Sequence, residues 1–234
     1  KVKLLAQCNR SKAVSMSLTL YGHPFSSYTQ KVLIALYENH VPFEFRCIDA
    51  EHPHNAQEWL RRWPMAKFPL LVDGDRAIRE TSIIIEYLQL THPGPISLLP
   101  TDPMAALEVR FLDRFFDLHV MSPVQSAVSA ALTGDAGQRE YFHTRAQELL
   151  ERAYAWLEAH LADKKWAAGT TFSLADCAAG PALFYADWTH PISLSLPHVR
   201  AYRARLLDRP SFARAVREAR PYRHLFPLGA SDRD

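Results

Sequence analysis

The stretch LTLYGHPFSSYTQKVLIALY, residues 18–37, decides the fold. It opens with Leu18–Tyr21, an apolar run of strand length, and breaks at Gly22 and Pro24. Val32, Leu33, Leu36 and Tyr37 then recur at helical spacing, which predicts a helix over about residues 28–39. Phe43–Ile48 alternates as a second strand and completes a βαβ unit, so these two strands pair in parallel through a right-handed crossover. Residues 55–63 read as a short polar helix. Pro69–Val72 is a third strand, Asp73-Gly74 a two-residue hairpin signal, Ala77–Arg79 an antiparallel fourth strand and Ser82–Thr91 a helix. The expected result is a mixed four-stranded sheet with helices packed on it.

His92–Pro103 holds four prolines in twelve residues and reads as a linker. Beyond it only helical periodicity appears. Leu107, Phe111, Phe115 and Leu118 share one apolar face; Phe142, Ala146, Leu149, Ala153, Leu157 and Leu161 share another. Phe172-Ser173-Leu-Ala-Asp176-Cys177 reads as a helix start, with Ser173 and Asp176 as a capping box and Phe172 stapled onto Cys177. The fold class is therefore α/β plus all-α. A first domain spans residues 16–92, a proline-rich linker 93–103 and an all-helical domain 104–226.

Of 234 residues, 48% are hydrophobic and 22% charged, and the net charge is +2, too small to argue for nucleic acid or a membrane surface as partner. Eight arginines between Arg200 and Arg223 read as the solvated face of terminal helices. Cys8, Cys47 and Cys177 are too scattered for a disulfide framework or a local metal site, which fits the cytoplasm. No apolar run reaches membrane-spanning length. Residues 1–15 read as a leader or remnant ahead of a domain that starts near Met16.

Ser26 and Ser27 stand where strand turns into helix. A serine nucleophile needs a base with its own orienter, and no G-x-S-x-G elbow is present; His23 shares the loop but has no assigned carboxylate. Either serine suits a helix N-cap, and either hydroxyl suits an anion held at the positive end of the helix. Phe68-Pro69 opens a strand; a cis bond there would turn the Phe68 amide and carbonyl outward to pair with an extended peptide. Glu80-Thr81 precedes a helix whose N-terminus suits a carboxylate, with Glu80 suited to an ammonium. Together these groups describe a short peptide ligand with a carboxylate and ammonium at one end and a thiolate at the other.

At this point the sequence resembles the glutathione transferase superfamily, from about Met16 to about Leu225. The motifs are Pro24–Val32, Lys67-Phe68-Pro69-Leu-Leu-Val-Asp-Gly, Glu80-Thr81 with Tyr87-Leu88, and Phe172–Asp176. The resemblance implies a thioredoxin-like first domain that binds glutathione as co-substrate, an electrophile held between the domains, and a cytosolic detoxifying homodimer. Ser26 is then the thiolate donor, with Ser27, Lys67, Phe68, Pro69, Glu80 and Thr81 around the peptide. Counting from Lys31-Val32 places Ser26 at the zeta and omega position, whereas theta spacing would favour Ser27. Thr81 stands where serine is usual, and Trp63-Pro64-Met65-Ala66 replaces the usual Asn-Pro-x-Gly. Candidate residues for the second substrate are His23, Phe25, Phe115, His119, Tyr185 and Trp188. Asp113 and Asp117 read as solvated surface. The implied reaction is conjugation to a small apolar electrophile; a cis–trans isomerase or dehalogenase, or a non-catalytic binding relative, are the alternatives.

Overall fold

The computed structural model describes residues 18–232 and 234; the expected leader, the domain start at Met16 and Cys8 lie outside the described residues. The first half runs β1 (Leu18–Gly22), α1 (Ser27–Glu38), β2 (Phe43–Cys47), α2 (Pro53–Arg62), β3 (Leu70–Asp73), β4 (Arg76–Ile78) and α3 (Thr81–Thr91). Its sheet has the order β2-β1-β3-β4, with β1 parallel to β2 and antiparallel to β3, and β3 antiparallel to β4. Leu20 pairs with Phe45 on one side and Leu71 on the other, so the strand that leads into the serine loop is central and wholly buried. The loop closes tightly at Gly22. A Cβ there would meet the Thr29 hydroxyl oxygen at 2.7 Å, so the first turn of α1 packs against bare backbone.

The second half is helical. α4 (Pro103–Phe115) continues through a π-helical segment, Phe116–Met121, into α5 (Ser122–Thr133). α6 (Ala136–His160), α7 (Leu174–Thr189), α8 (Pro197–Leu207), α9 (Pro210–Ala219) and a 3₁₀ turn over Arg220–Leu225 follow. At the start of α7 the Ser173 amide and hydroxyl both donate to the Asp176 carboxylate, which also accepts from the Ala167 amide and the Tyr202 hydroxyl. Among the described residues no helix is long and apolar enough to cross a membrane.

One hydrophobic core runs through both halves, and α1 lies at its centre. Every residue from Thr29 to Leu36 is buried, because the sheet covers one side of the helix and α7 and α9 cover others. Fully burying each of its leucines, valine and isoleucine stabilises the fold by about 1.5–3 kcal/mol.

Two expectations fail here. The stripe Leu107, Phe111 and Leu118 is exposed at 56, 47 and 50%, and of that face only Phe115 is buried. The buried face of α4 carries Ala106, Val109, Leu112 and Asp113 instead, because a buried cation on α1 makes a carboxylate face the inward one. The C-terminal arginines are not simply solvated either. Arg209 forms a bidentate pair with Glu38 and stacks 3.9 Å from the Phe172 ring centre, and Arg214 stacks 3.9 Å from that of Tyr37.

Candidate functional site

Ser26 is the N-cap of α1. Its backbone is extended (φ −79°, ψ 126°), its hydroxyl oxygen accepts from the Thr29 amide at 3.2 Å, and its own amide donates to His23 O at 3.0 Å. The half-exposed hydroxyl therefore has its oxygen engaged and its proton free. Ser27, the first helical residue, differs: its hydroxyl is enclosed and, among the described residues, has no hydrogen-bond partner. The cap is thus Ser26, and of the two serines only Ser26 presents an accessible hydroxyl. Ser27→Ala removes an unsatisfied group, so urea denaturation is expected to show unchanged stability or a gain of up to about 1 kcal/mol, not a capping loss.

Two cavities meet beside this loop and share Phe68. The first, about 290 Å³, gathers Lys67, Phe68, Pro69, Glu80 and Thr81. The Phe68–Pro69 bond is cis. The Trp59 indole holds the strand entry by donating to Lys67 O at 3.0 Å. Glu80 occupies the left-handed region (φ 65°), a conformation costing on the order of 1–3 kcal/mol outside glycine, and it makes no side-chain cap on α3. The amides of that helix start are left for another acceptor. Arg114 and Asp117, from the helical half, also line this cavity.

The second cavity, about 240 Å³, brings together His23, Phe25, Ser26 and Tyr185. Phe115, His119 and Trp188 lie elsewhere. Phe115 and His119 line a separate hollow, with Phe115 packed on Trp156 and His119 on Phe115, while Trp188 is buried behind Phe25, packed on Phe184 and Phe226. Their places are taken by Met121, Val124, Gln125 and Val128, and by Leu225–Pro227. The first four repeat at helical spacing through the π segment and α5, a signal legible in sequence; the C-terminal three had none. Among the described residues, no lysine or arginine lines this cavity. His23 Nδ1 accepts from the Phe25 amide at 3.2 Å, and burial lowers the pKa of the ring against the pull of Asp49. The imidazole is therefore neutral, with its proton on Nε2. Cys47, at the end of β2, is no rival nucleophile: burial and a hydrogen bond with Asp49 push its thiol up to about 12.

Against the first cavity sits a buried ionic knot, whose Asp117 lines it. Lys31, 1% exposed, places its ammonium 2.6 Å from Asp113, 2.8 Å from Asp117 and 3.2 Å from the Ser82 hydroxyl. Ser82 donates in turn to Asp113 at 2.6 Å. Asp113 and Asp117 are thus interior, not solvated surface. Burial raises the pKa of the Asp117 carboxyl, opposed by Lys31. The knot ties α1 and α3, which carry the two ends of the candidate site, to α4 and the π segment. A groove of about 560 Å³ on the far side of α1, lined by Tyr37, Phe43 and Arg214, holds none of the candidate glutathione residues.

Residues 20–96 match the family model for the glutathione S-transferase N-terminal domain, and residues 140–205 match that for its C-terminal domain. Glutathione S-transferase 3 of Zea mays is 31% identical over 209 residues, covering 85% of this chain and 93% of that protein. A "probable maleylacetoacetate isomerase" of Vibrio cholerae is 28% identical, covering 88% and 98%. A glutathione S-transferase from Methylobacterium radiotolerans, solved in complex with glutathione sulfonate, is 30% identical with a TM-score of 0.72, covering 86% of this chain and 94% of its own. Both halves of the fold and a relative above 30% identity agree with the chemistry of the two cavities, and this chain belongs to the glutathione S-transferase family, an enzyme that takes glutathione as its co-substrate.

Proposed function

We propose that this enzyme conjugates glutathione, through a thiolate stabilised by Ser26, to a small, neutral, apolar electrophile. The observation that carries this reading is the Ser26 hydroxyl, its oxygen held by the Thr29 amide, at the N-terminus of α1 on the wall of an apolar cavity that, among the described residues, has no lysine or arginine. Glutathione lies along the first cavity. Its γ-glutamyl carboxylate meets the α3 amides and the Thr81 hydroxyl, its ammonium meets Glu80, its cysteinyl backbone pairs with Phe68, and its glycyl carboxylate meets Lys67. The sulfur then falls beside Ser26, whose hydrogen bond favours the thiolate and lowers the thiol pKa. The thiol proton leaves to water, the sulfur attacks the electrophilic carbon in the second cavity, a C–S bond forms and the leaving group departs with its electron pair. His23, neutral with Nε2–H, supplies a donor for an acceptor atom on that substrate. The domain limits 16–92, 93–103 and 104–226 and a reducing cytoplasmic setting belong to the same proposal.

A glutathione-dependent cis–trans isomerase is the second reading, the Vibrio relative carrying the name "probable maleylacetoacetate isomerase"; a diacid substrate would need a cation that the described residues of the second cavity do not offer. A panel of aryl halides, epoxides, hydroperoxides and maleyl-type diacids with glutathione tests the choice. The expected result is conjugation of an aryl halide or epoxide at least roughly tenfold above diacid isomerisation; the reverse order overturns the proposal.

We further infer a homodimer. Leu107 and Phe111 of α4 and Ile83 and Leu90 of α3 are exposed, and the Glu86–Arg110 pair at 2.8 Å joins the two helices. A twofold interface there would bury at least ~1,200 Å². Light scattering is expected to give a dimer mass at micromolar concentration, and Phe111→Asp, which buries an unpaired charge in that interface, a monomer.

A further inference from the structure

The Tyr185 hydroxyl sits in the interior between the halves, away from any electrophile that touches its ring. It donates to Phe25 O at 2.7 Å and accepts from Gln30 Nε2 at 3.1 Å, and Gln30 Nε2 also reaches Pro24 O at 3.0 Å. Both side chains are buried, Tyr185 at 3% and Gln30 at 0%. The two carbonyls they hold belong to the residues immediately before Ser26. The peptide unit joining Phe25 to Ser26 is consequently fixed at both ends, its carbonyl by Tyr185 and its N–H by His23 O. With the Thr29 amide holding the Ser26 oxygen, little freedom remains in the backbone or side chain of that serine. The ring of Tyr185 meanwhile forms part of the wall of the second cavity and packs edge-on against Phe25, centroids 5.4 Å apart.

We propose that Tyr185, with Gln30, is a positioning residue for the thiolate-stabilising hydroxyl: the helical domain aims Ser26 through a hydrogen bond to the carbonyl that precedes it. The inference rests on the reading of Ser26 as the thiolate donor. It gives this tyrosine two separable functions, a ring that receives substrate and a hydroxyl that sets the serine. A hydrogen bond to a sulfur anion weakens steeply when its donor is misaligned, so loosening the loop reduces thiolate stabilisation without touching the glutathione peptide contacts.

Tyr185→Phe keeps the ring and removes only the hydroxyl. At pH 6.5 the expected change is a fall in kcat of roughly three- to tenfold, the factor one neutral hydrogen bond represents. The KM for glutathione should stay within about twofold, and the ultraviolet titration of enzyme-bound thiolate should move to higher pH. Gln30→Leu should shift the titration the same way, and it serves if Tyr185→Phe does not fold. The decisive comparison repeats Tyr185→Phe in the Ser26→Ala background. Positioning through Ser26 requires the shift to vanish there. A shift of equal size in both backgrounds, or a lowered melting temperature with an unmoved titration, overturns the proposal. If Ser26→Ala alone leaves the titration unmoved, it is the serine reading that fails, and this proposal falls with it.

Discussion

Replacing Lys31 with methionine is expected to cost about 3–5 kcal/mol of folding stability, the loss typical when one partner of a buried ionic set is removed. The ammonium donates to Asp117 at 2.8 Å and Ser82 at 3.2 Å and lies 2.6 Å from Asp113 as an ion pair. Without it two carboxylates face one another in the interior, supported only by Ser82 at 2.6 Å and Arg114 at 3.3 Å. The melting temperature should fall by roughly 6–20 °C for a chain of this size. The loss should also depend on pH. Burial already raises the folded pKa of Asp117, and removing the cation raises it further. A carboxyl with a raised folded pKa stabilises below its unfolded pKa, and that stability is lost as pH rises through the folded value. Urea denaturation should therefore find the variant less impaired at pH 5 than at pH 7.5. Adding Asp113→Leu and Asp117→Leu removes the orphaned charges and should recover most of the loss. An equal loss at both pH values, with no recovery in the triple variant, would show that the ion pairs do not hold the halves together.

The second large effect is on rate. On the proposed role of Ser26 as thiolate donor, Ser26→Ala removes one charge-assisted hydrogen bond to the glutathione sulfur, worth ~1.5–3 kcal/mol. The bound-thiol pKa should rise by about one to two units, and the rate at pH 7 should fall roughly ten- to a hundredfold while glutathione binding changes little. Raising the pH should restore much of the rate. The same substitution deletes the cap of α1 and so costs a further ~0.5–2 kcal/mol of stability. Ser26→Gly separates the two effects, because glycine caps nearly as well and has no hydroxyl. Both variants should share the pKa shift, with the glycine variant the more stable. A thiol titration identical to that of the unmodified enzyme in both would remove Ser26 from the mechanism and turn attention to the Tyr28 hydroxyl.

Much of this molecule was legible in its residues because the signals were local. Leu18–Tyr21, Asp73-Gly74 and the Ser173–Asp176 box declare a strand, a hairpin and a helix start from the conformations of a few neighbouring residues. The same holds for the loop that collects Ser26, Phe25 and His23. What stayed hidden depended on distant partners. α4 carries two candidate faces, and spacing alone favours the one with Leu107 and Phe111. The inward face was hidden because Asp113 looks like a surface residue until Lys31, some eighty positions earlier, is found opposite it. Phe115 and His119 were misassigned for the same reason: periodicity locates a side chain on a helix but not the neighbour that helix turns toward. The wall formed by Leu225–Pro227 is visible only once the chain has folded back over the serine loop.

That α1 is enclosed on nearly every side has a consequence for how the enzyme accommodates its substrates. Amides of a helix so enclosed are expected to exchange with solvent only when the whole domain opens, so the Ser26 hydroxyl is expected to be anchored to a slowly exchanging part of the molecule. The opposite wall has more freedom at its rim, where half-exposed Leu225 closes a 3₁₀ turn that buries none of its residues, while Phe226 beside it is packed on Tyr185 and Trp188. With Ser26 as the proposed donor, a fixed serine facing an exposed rim lets substrate range change by substitution at Leu225 while the thiolate chemistry stays untouched.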